Sequence, residues 1–123
     1  MTQLFKNYLW HSELFNCQSN DLTQFEQYLS AQVSRLKLQE KPLGFIDESN
    51  QQYPLSLYQT AHIDSDKPSI LVCAGFHGEE SAGPWGLISA LTQLNPSILE
   101  KINLSILPLV NPSGFSIGNR LNL

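Results

Sequence analysis

The sequence predicts an α/β fold: a mixed sheet with a parallel strand–helix–strand core and flanking helices. Three observations carry this. Ile70-Leu71-Val72-Cys73-Ala74-Gly75-Phe76 is a near-continuous apolar run, the composition of a strand covered on both faces. Residues 84–94 read as a helix, and residues 102–110 return to strand-like alternation. Strand, helix, strand in that order implies a right-handed crossover and a parallel pair within the sheet.

The elements follow in chain order. Residues 1–20 are aromatic and polar without a clear period. From Asn20 the pattern turns helical: Asn20 or Asp21 can cap, and Leu22, Phe25, Leu29, Val33 and Leu36 recur at three- and four-residue steps. This predicts a helix over 21–37, its apolar stripe serving the core, with Pro42 past its end. Two short strands are expected at 43–47 and 53–60, separated by the polar turn Asp47-Glu48-Ser49-Asn50-Gln51-Gln52. Pro54 cannot donate a ladder hydrogen bond, so it belongs at a strand start or on an edge. A second polar turn, Asp64-Ser65-Asp66-Lys67-Pro68, precedes the apolar run. Pro84 sits in the first turn of the next helix, where a missing N–H does no harm.

Composition bounds the function. The chain has 123 residues, the size of one domain, and no repeat or linker divides it. Seven basic and eleven acidic residues give a net charge of −4, with no Lys/Arg cluster. That is not the electrostatic footprint of a nucleic-acid or anionic-membrane binder, so neither is expected as a partner. Two cysteines, Cys17 and Cys73, make no disulfide scaffold, and Cys73 is expected as a small buried hydrophobe. The first residues show no signal-peptide pattern and no apolar run approaches a membrane-spanning length, so a cytoplasmic location is expected.

The chemistry gathers after the apolar run, since ligands of open α/β sheets collect at the carboxyl ends of strands. There the sequence reads Gly75-Phe76-His77-Gly78-Glu79-Glu80-Ser81-Ala82-Gly83. His77 and Glu80 are three residues apart, so a turn or helix directs both side chains to one spot. Imidazole nitrogen and carboxylate oxygen are zinc donors, and a His₂Glu set with one open position is a known catalytic arrangement. His-x-x-Glu alone is a weak signal, because a solvated loop with a hydrogen-bonded histidine has the same spacing. The second constellation is Asn111-Pro112-Ser113-Gly114-Phe115, a turn signal, leading to Gly118-Asn119-Arg120-Leu121-Asn122. Arg120 on the same side of the sheet would place a fixed cation where a carbonyl could be polarised. The alternative is a solvated surface arginine.

Taken together and in order, these two motifs resemble the zinc carboxypeptidase superfamily, over about residues 40–123. That superfamily includes metallocarboxypeptidases and the amidases and deacylases of aspartoacylase and murein-peptide amidase type. The resemblance implies the N-terminal portion of a carboxypeptidase-like fold. It implies His77 and Glu80 as two zinc ligands, and Arg120 as the catalytic and substrate-binding arginine that polarises the scissile carbonyl. The implied cofactor is Zn²⁺, and the implied substrate is a peptide or an N-acyl amino acid. Ser113 departs from the family's frequent Asp at that position.

The resemblance also implies a third ligand, a histidine, and a glutamate base beyond such an arginine. His11 and His62 are the other histidines, and both are expected at the surface. Glu13 and Glu79 are conceivable bases, with Glu79 expected to face solvent or to lie behind the ligands. The expectation is therefore that residues 1–123 are the N-terminal part of one catalytic domain, cut short, and that the remaining C-terminal portion completes the site. The competing readings are an amidase or deacylase with the same metal, and a non-enzymatic α/β binding domain in which His77 and Glu80 are structural.

Overall fold

The computed structural model describes residues 19–121. His11, Glu13, Cys17 and Asn122 lie outside them. Helix α1 (Leu22–Leu36) leads into strands β1 (Gln39–Glu48), β2 (Gln51–Gln59) and β3 (Ser69–Cys73). Helix α2 (Ala82–Gln93), a 3-10 turn (Pro96–Glu100), strand β4 (Asn103–Leu107) and helix α3 (Pro112–Ile117) follow. The sheet order is β1-β2-β4-β3, with β3 and β4 parallel and the other pairs antiparallel. The mixed α/β architecture and its β3–α2–β4 parallel unit are as the sequence predicts.

Helix α1 starts where Asp21 accepts the Gln24 amide at 2.9 Å and ends at Lys37, in the left-handed region at φ 54°. Its apolar stripe packs against α2 and β4. Phe25 and Leu29 meet Trp85, Ile88, Leu109 and Phe115, while Leu36 meets Leu91, Leu104 and Ile106. Phe25 stacks edge-on against Trp85, with ring centroids 5.3 Å apart, a geometry that matches the ring quadrupoles. The buried indole N–H of Trp85 donates to the Ser19 carbonyl at 2.8 Å.

Three expectations need correction. Strand β1 begins at Gln39 rather than 43, so Pro42 lies inside it; a bulge between Pro42 and Gly44 on this edge strand accommodates the missing N–H. The turn to β2 shrinks to Ser49 and Asn50, both at positive φ, the geometry that suits a tight hairpin. Among the described residues the run at 70–76 is not covered on both faces: β3 is the last strand in their sheet order, with Ile70 45% and Leu71 64% exposed and Cys73 half-buried. Composition reported the apolarity of that strand, whereas its place in the sheet order sets its exposure. Pro54 occupies a stretch of β2 where pairing with β4 has not begun, since that ladder joins only Tyr58 and Gln59 to Ile106 and Ser105.

The segments leaving β3 and β4 run together beyond the strand ends. The Ala74 amide donates to Leu107, Val110 to the Ala74 carbonyl, and Asn111 to the Gly75 carbonyl, at 2.9–3.1 Å. Gly75 turns away at φ +71°, where a Cβ would stand 2.6 Å from Leu109 Cδ1. Gly78 then meets the backbone of Gly114 and Asn119 so closely that a Cβ would collide with both.

Two predictions follow from this packing. Gly78→Ala should destabilise the chain by about 2 kcal/mol or more, because backbone rather than a flexible side chain must yield. Gly86→Ala, inside α2 with open space around it, should stabilise by about 0.5–1 kcal/mol through helix propensity. Chemical denaturation of the two variants checks the contrast. Glu26 is an exposed residue at the rim of a pocket between α1 and β2, whose walls take away part of its solvent and raise its carboxyl pKa. Folding therefore disfavours its charged form, and the penalty disappears as pH falls through the raised pKa. Glu26→Gln should raise Tm at pH 7 and lose that advantage near pH 4, as thermal scans at the two pH values would read.

Candidate metal centre

At the carboxyl end of β3 the chain makes a turn in which the Glu80 amide donates to the His77 carbonyl at 3.1 Å. This i, i+3 closure turns both side chains outward on one side. His77 Nδ1 and Glu80 Oε2 are 3.2 Å apart, with the two side chains 37% and 60% exposed. Zinc with nitrogen and oxygen ligands at about 2.0–2.1 Å and tetrahedral angles places neighbouring donors about 3.3 Å apart. The donor types and their separation therefore fit two positions of such a site. Among the described residues, no group of three or more His, Cys, Asp or Glu is arranged to hold a metal ion.

Arg120 arrives from the other strand. The sequence reads 111–114 as a turn; in the structure Pro112–Ile117 is a short helix, with Pro112 in its first turn and Gly118 closing it at φ 71°. Buried Asn111 caps that helix through Oδ1, which accepts the Gly114 amide at 2.8 Å. Its Nδ2 donates to the Phe76 carbonyl at 3.4 Å and to the Arg120 carbonyl at 3.3 Å. The Gly78 amide donates to the same Arg120 carbonyl at 3.3 Å. One asparagine thus ties the loop that carries His77 to the backbone of Arg120.

The guanidinium reaches back over the ligand loop. Arg120 Nη1 lies 2.9 Å from Glu79 Oε1 and 3.7 Å from Glu80 Oε1. The three residues singled out for chemistry, His77, Glu80 and Arg120, are brought together as expected. Glu79 is not simply solvent-facing: it is the nearer partner of the arginine. His62 is exposed after β2, beside the start of β4, where Thr60 donates to Leu104. That is the end of the parallel pair opposite His77.

Sequence reasoning missed two supports. Asn20 does not cap α1; its Nδ2 donates to the Gly78 carbonyl at 2.7 Å and steadies the ligand loop. Asn111 reads as a turn former, and its role as a cross-link had no local signal beyond the Pro after it. Beside the pair, an open cleft of about 450 Å³ runs along β3 and α2, lined by Val72, Gly75, Phe76, His77, Glu80 and Leu87 among others.

Comparison with known proteins follows from this geometry. The chain matches no protein-family model and no curated protein. Among solved structures, it is similar to a "putative metallopeptidase" from Shewanella denitrificans at 50% identity and a TM-score of 0.82. That match covers 92% of this chain and 42% of the other. A protein of the same description from Shewanella baltica aligns at 48% identity and a TM-score of 0.77, over 84% of this chain and 37% of that one. Bovine thrombin-activatable fibrinolysis inhibitor, at 19% identity and a TM-score of 0.61, shares the fold. The chain spans about two fifths of the length of the two Shewanella proteins. Strand order and these likenesses agree: the chain has a carboxypeptidase-like α/β fold and is similar, over part of their length, to proteins described as putative metallopeptidases.

Proposed function

We propose that this chain carries the metal-binding part of a zinc-dependent hydrolase that cleaves a peptide or amide bond, of metallocarboxypeptidase type. The observation that carries the reading is the 3.2 Å approach of His77 Nδ1 to Glu80 Oε2 at the end of a parallel strand, with Arg120 reaching the same turn. The metallopeptidase description of similar chains at 48–50% identity supports it.

In this reading His77 and Glu80 hold zinc, which when bound lowers the pKa of a coordinated water and polarises a carbonyl. The chain's own residues do the rest of what can be argued. The backbone of Arg120 is anchored by Gly78 and Asn111, and its guanidinium pairs with Glu79 on the 77–80 turn, so it stands beside that turn before substrate arrives. A cation already in place stabilises negative charge developing on a carbonyl oxygen without reorganising during the reaction. Both His77 and Glu80 would donate to the metal, and the open cleft along β3 would receive the substrate chain. This reading assigns the third ligand and the general base to the further length that the similar proteins possess.

Zinc affinity tests the ligand assignment. His77→Ala and Glu80→Ala should each weaken zinc binding about tenfold or more, since even residues behind the ligands are worth that much. Arg120→Ala should not weaken it, and in the complete catalytic domain it should lower kcat about 10²–10³-fold. Unchanged zinc affinity in both ligand variants would refute the assignment.

A further inference from the structure

We propose that Glu79 is a positioning residue that holds the Arg120 guanidinium away from Glu80, leaving the Glu80 carboxylate available to a cation. The inference rests on the reading of His77 and Glu80 as metal ligands and adds a residue that this reading does not need.

One nitrogen stands between two carboxylates. Arg120 Nη1 is 2.9 Å from Glu79 Oε1, a full charge-assisted hydrogen bond, but 3.7 Å from Glu80 Oε1. Glu80 meanwhile directs its other oxygen, Oε2, at His77 Nδ1. The backbone of Arg120 is anchored, because its carbonyl accepts from both Gly78 and Asn111. Its guanidinium therefore stays within reach of the 77–80 turn, which offers it two carboxylates. With Glu79 present, the nearer acceptor is not a ligand. Without it, Glu80 becomes the nearest carboxylate. A guanidinium paired to Glu80 opposes a second cation on the same group, because both draw on one negative charge.

Two other roles for Glu79 predict different outcomes. It could attract the metal simply as a nearby negative charge, or bind the metal itself. In both cases its removal would weaken metal binding whether or not Arg120 is present. In the proposed role the loss requires Arg120, so the two substitutions are coupled, which a double-mutant cycle measures.

The experiment titrates Zn²⁺ into the full chain while following the His77 ring nitrogens by NMR. Glu79→Gln should weaken binding roughly three- to tenfold, a modest range because all three charged side chains are substantially exposed. In an Arg120→Met background the same substitution should change affinity less than about twofold. Glu79→Asp, which keeps the charge, should recover at least part of the lost affinity in the presence of Arg120. Equal weakening by Glu79→Gln in both backgrounds would overturn the proposal in favour of a direct charge or ligand role. No weakening in either background would overturn it as well. If His77 does not respond to Zn²⁺ in the unsubstituted chain, the ligand reading itself fails and takes this one with it. That result is distinct from the other two.

Discussion

The site depends on the contact between two loops that leave neighbouring parallel strands. Gly78 lies so near the backbone of Gly114 and Asn119 that no side chain fits, and Asn111 bonds to the carbonyls of Phe76 and Arg120 across the same seam. Parallel strands end at the same level, so their exit loops are neighbours by construction. Being neighbours does not fix a guanidinium beside a particular carboxylate. The hydrogen bonds of one buried asparagine and the missing Cβ of one glycine set the backbone of Arg120 against the turn, and Glu79 takes up its guanidinium.

The charges on this seam are more balanced than a pair of ligands alone would be. Two carboxylates, one guanidinium and one imidazole occupy the turn and its partner loop. Each of the two carboxylates has a partner: Glu80 has His77, and Glu79 has Arg120. Exposed pairs of this kind contribute little to stability, with a median near 0–1 kcal/mol. They are therefore not what braces the two loops. The bracing comes from uncharged groups: Asn20 on the Gly78 carbonyl, Asn111 on Phe76, Gly114 and Arg120, and the aromatic cluster of Phe25, Trp85 and Phe115 behind them.

Much of this was legible in the sequence because its signals are local. Helix α1 is written in the spacing of Leu22, Phe25, Leu29 and Leu36 and in Asp21 before them. The β3–α2–β4 unit is written in two apolar stretches around a helical one. His77 and Glu80 share a turn, so their spacing alone brings them together. The remainder depends on contacts between distant parts of the chain. Nothing near Glu79 announces Arg120, forty-one residues later, and Asn20 is separated from Gly78 by fifty-eight. The exposure of Ile70 and Leu71 has no local signal for a related reason. Apolar composition records what a strand is suited to touch, whereas strand order determines which of its sides is covered in this chain.

That exposure bears on the chemistry. His77 and Glu80 stand at the end of the edge strand, so the ligand pair and the exposed apolar edge are parts of one surface. An electrostatic site gains strength when water is excluded, because charges and dipoles interact more strongly in a low-dielectric setting. On this chain the cleft beside β3 is open, and both ligand side chains reach solvent. Whatever packs against Ile70, Leu71 and Phe76 would close that cleft from its apolar side. It would thereby strengthen every polar interaction at the strand end. Covering the edge and tightening the polar contacts of His77 and Glu80 would then be a single physical event, since the same strand supplies both.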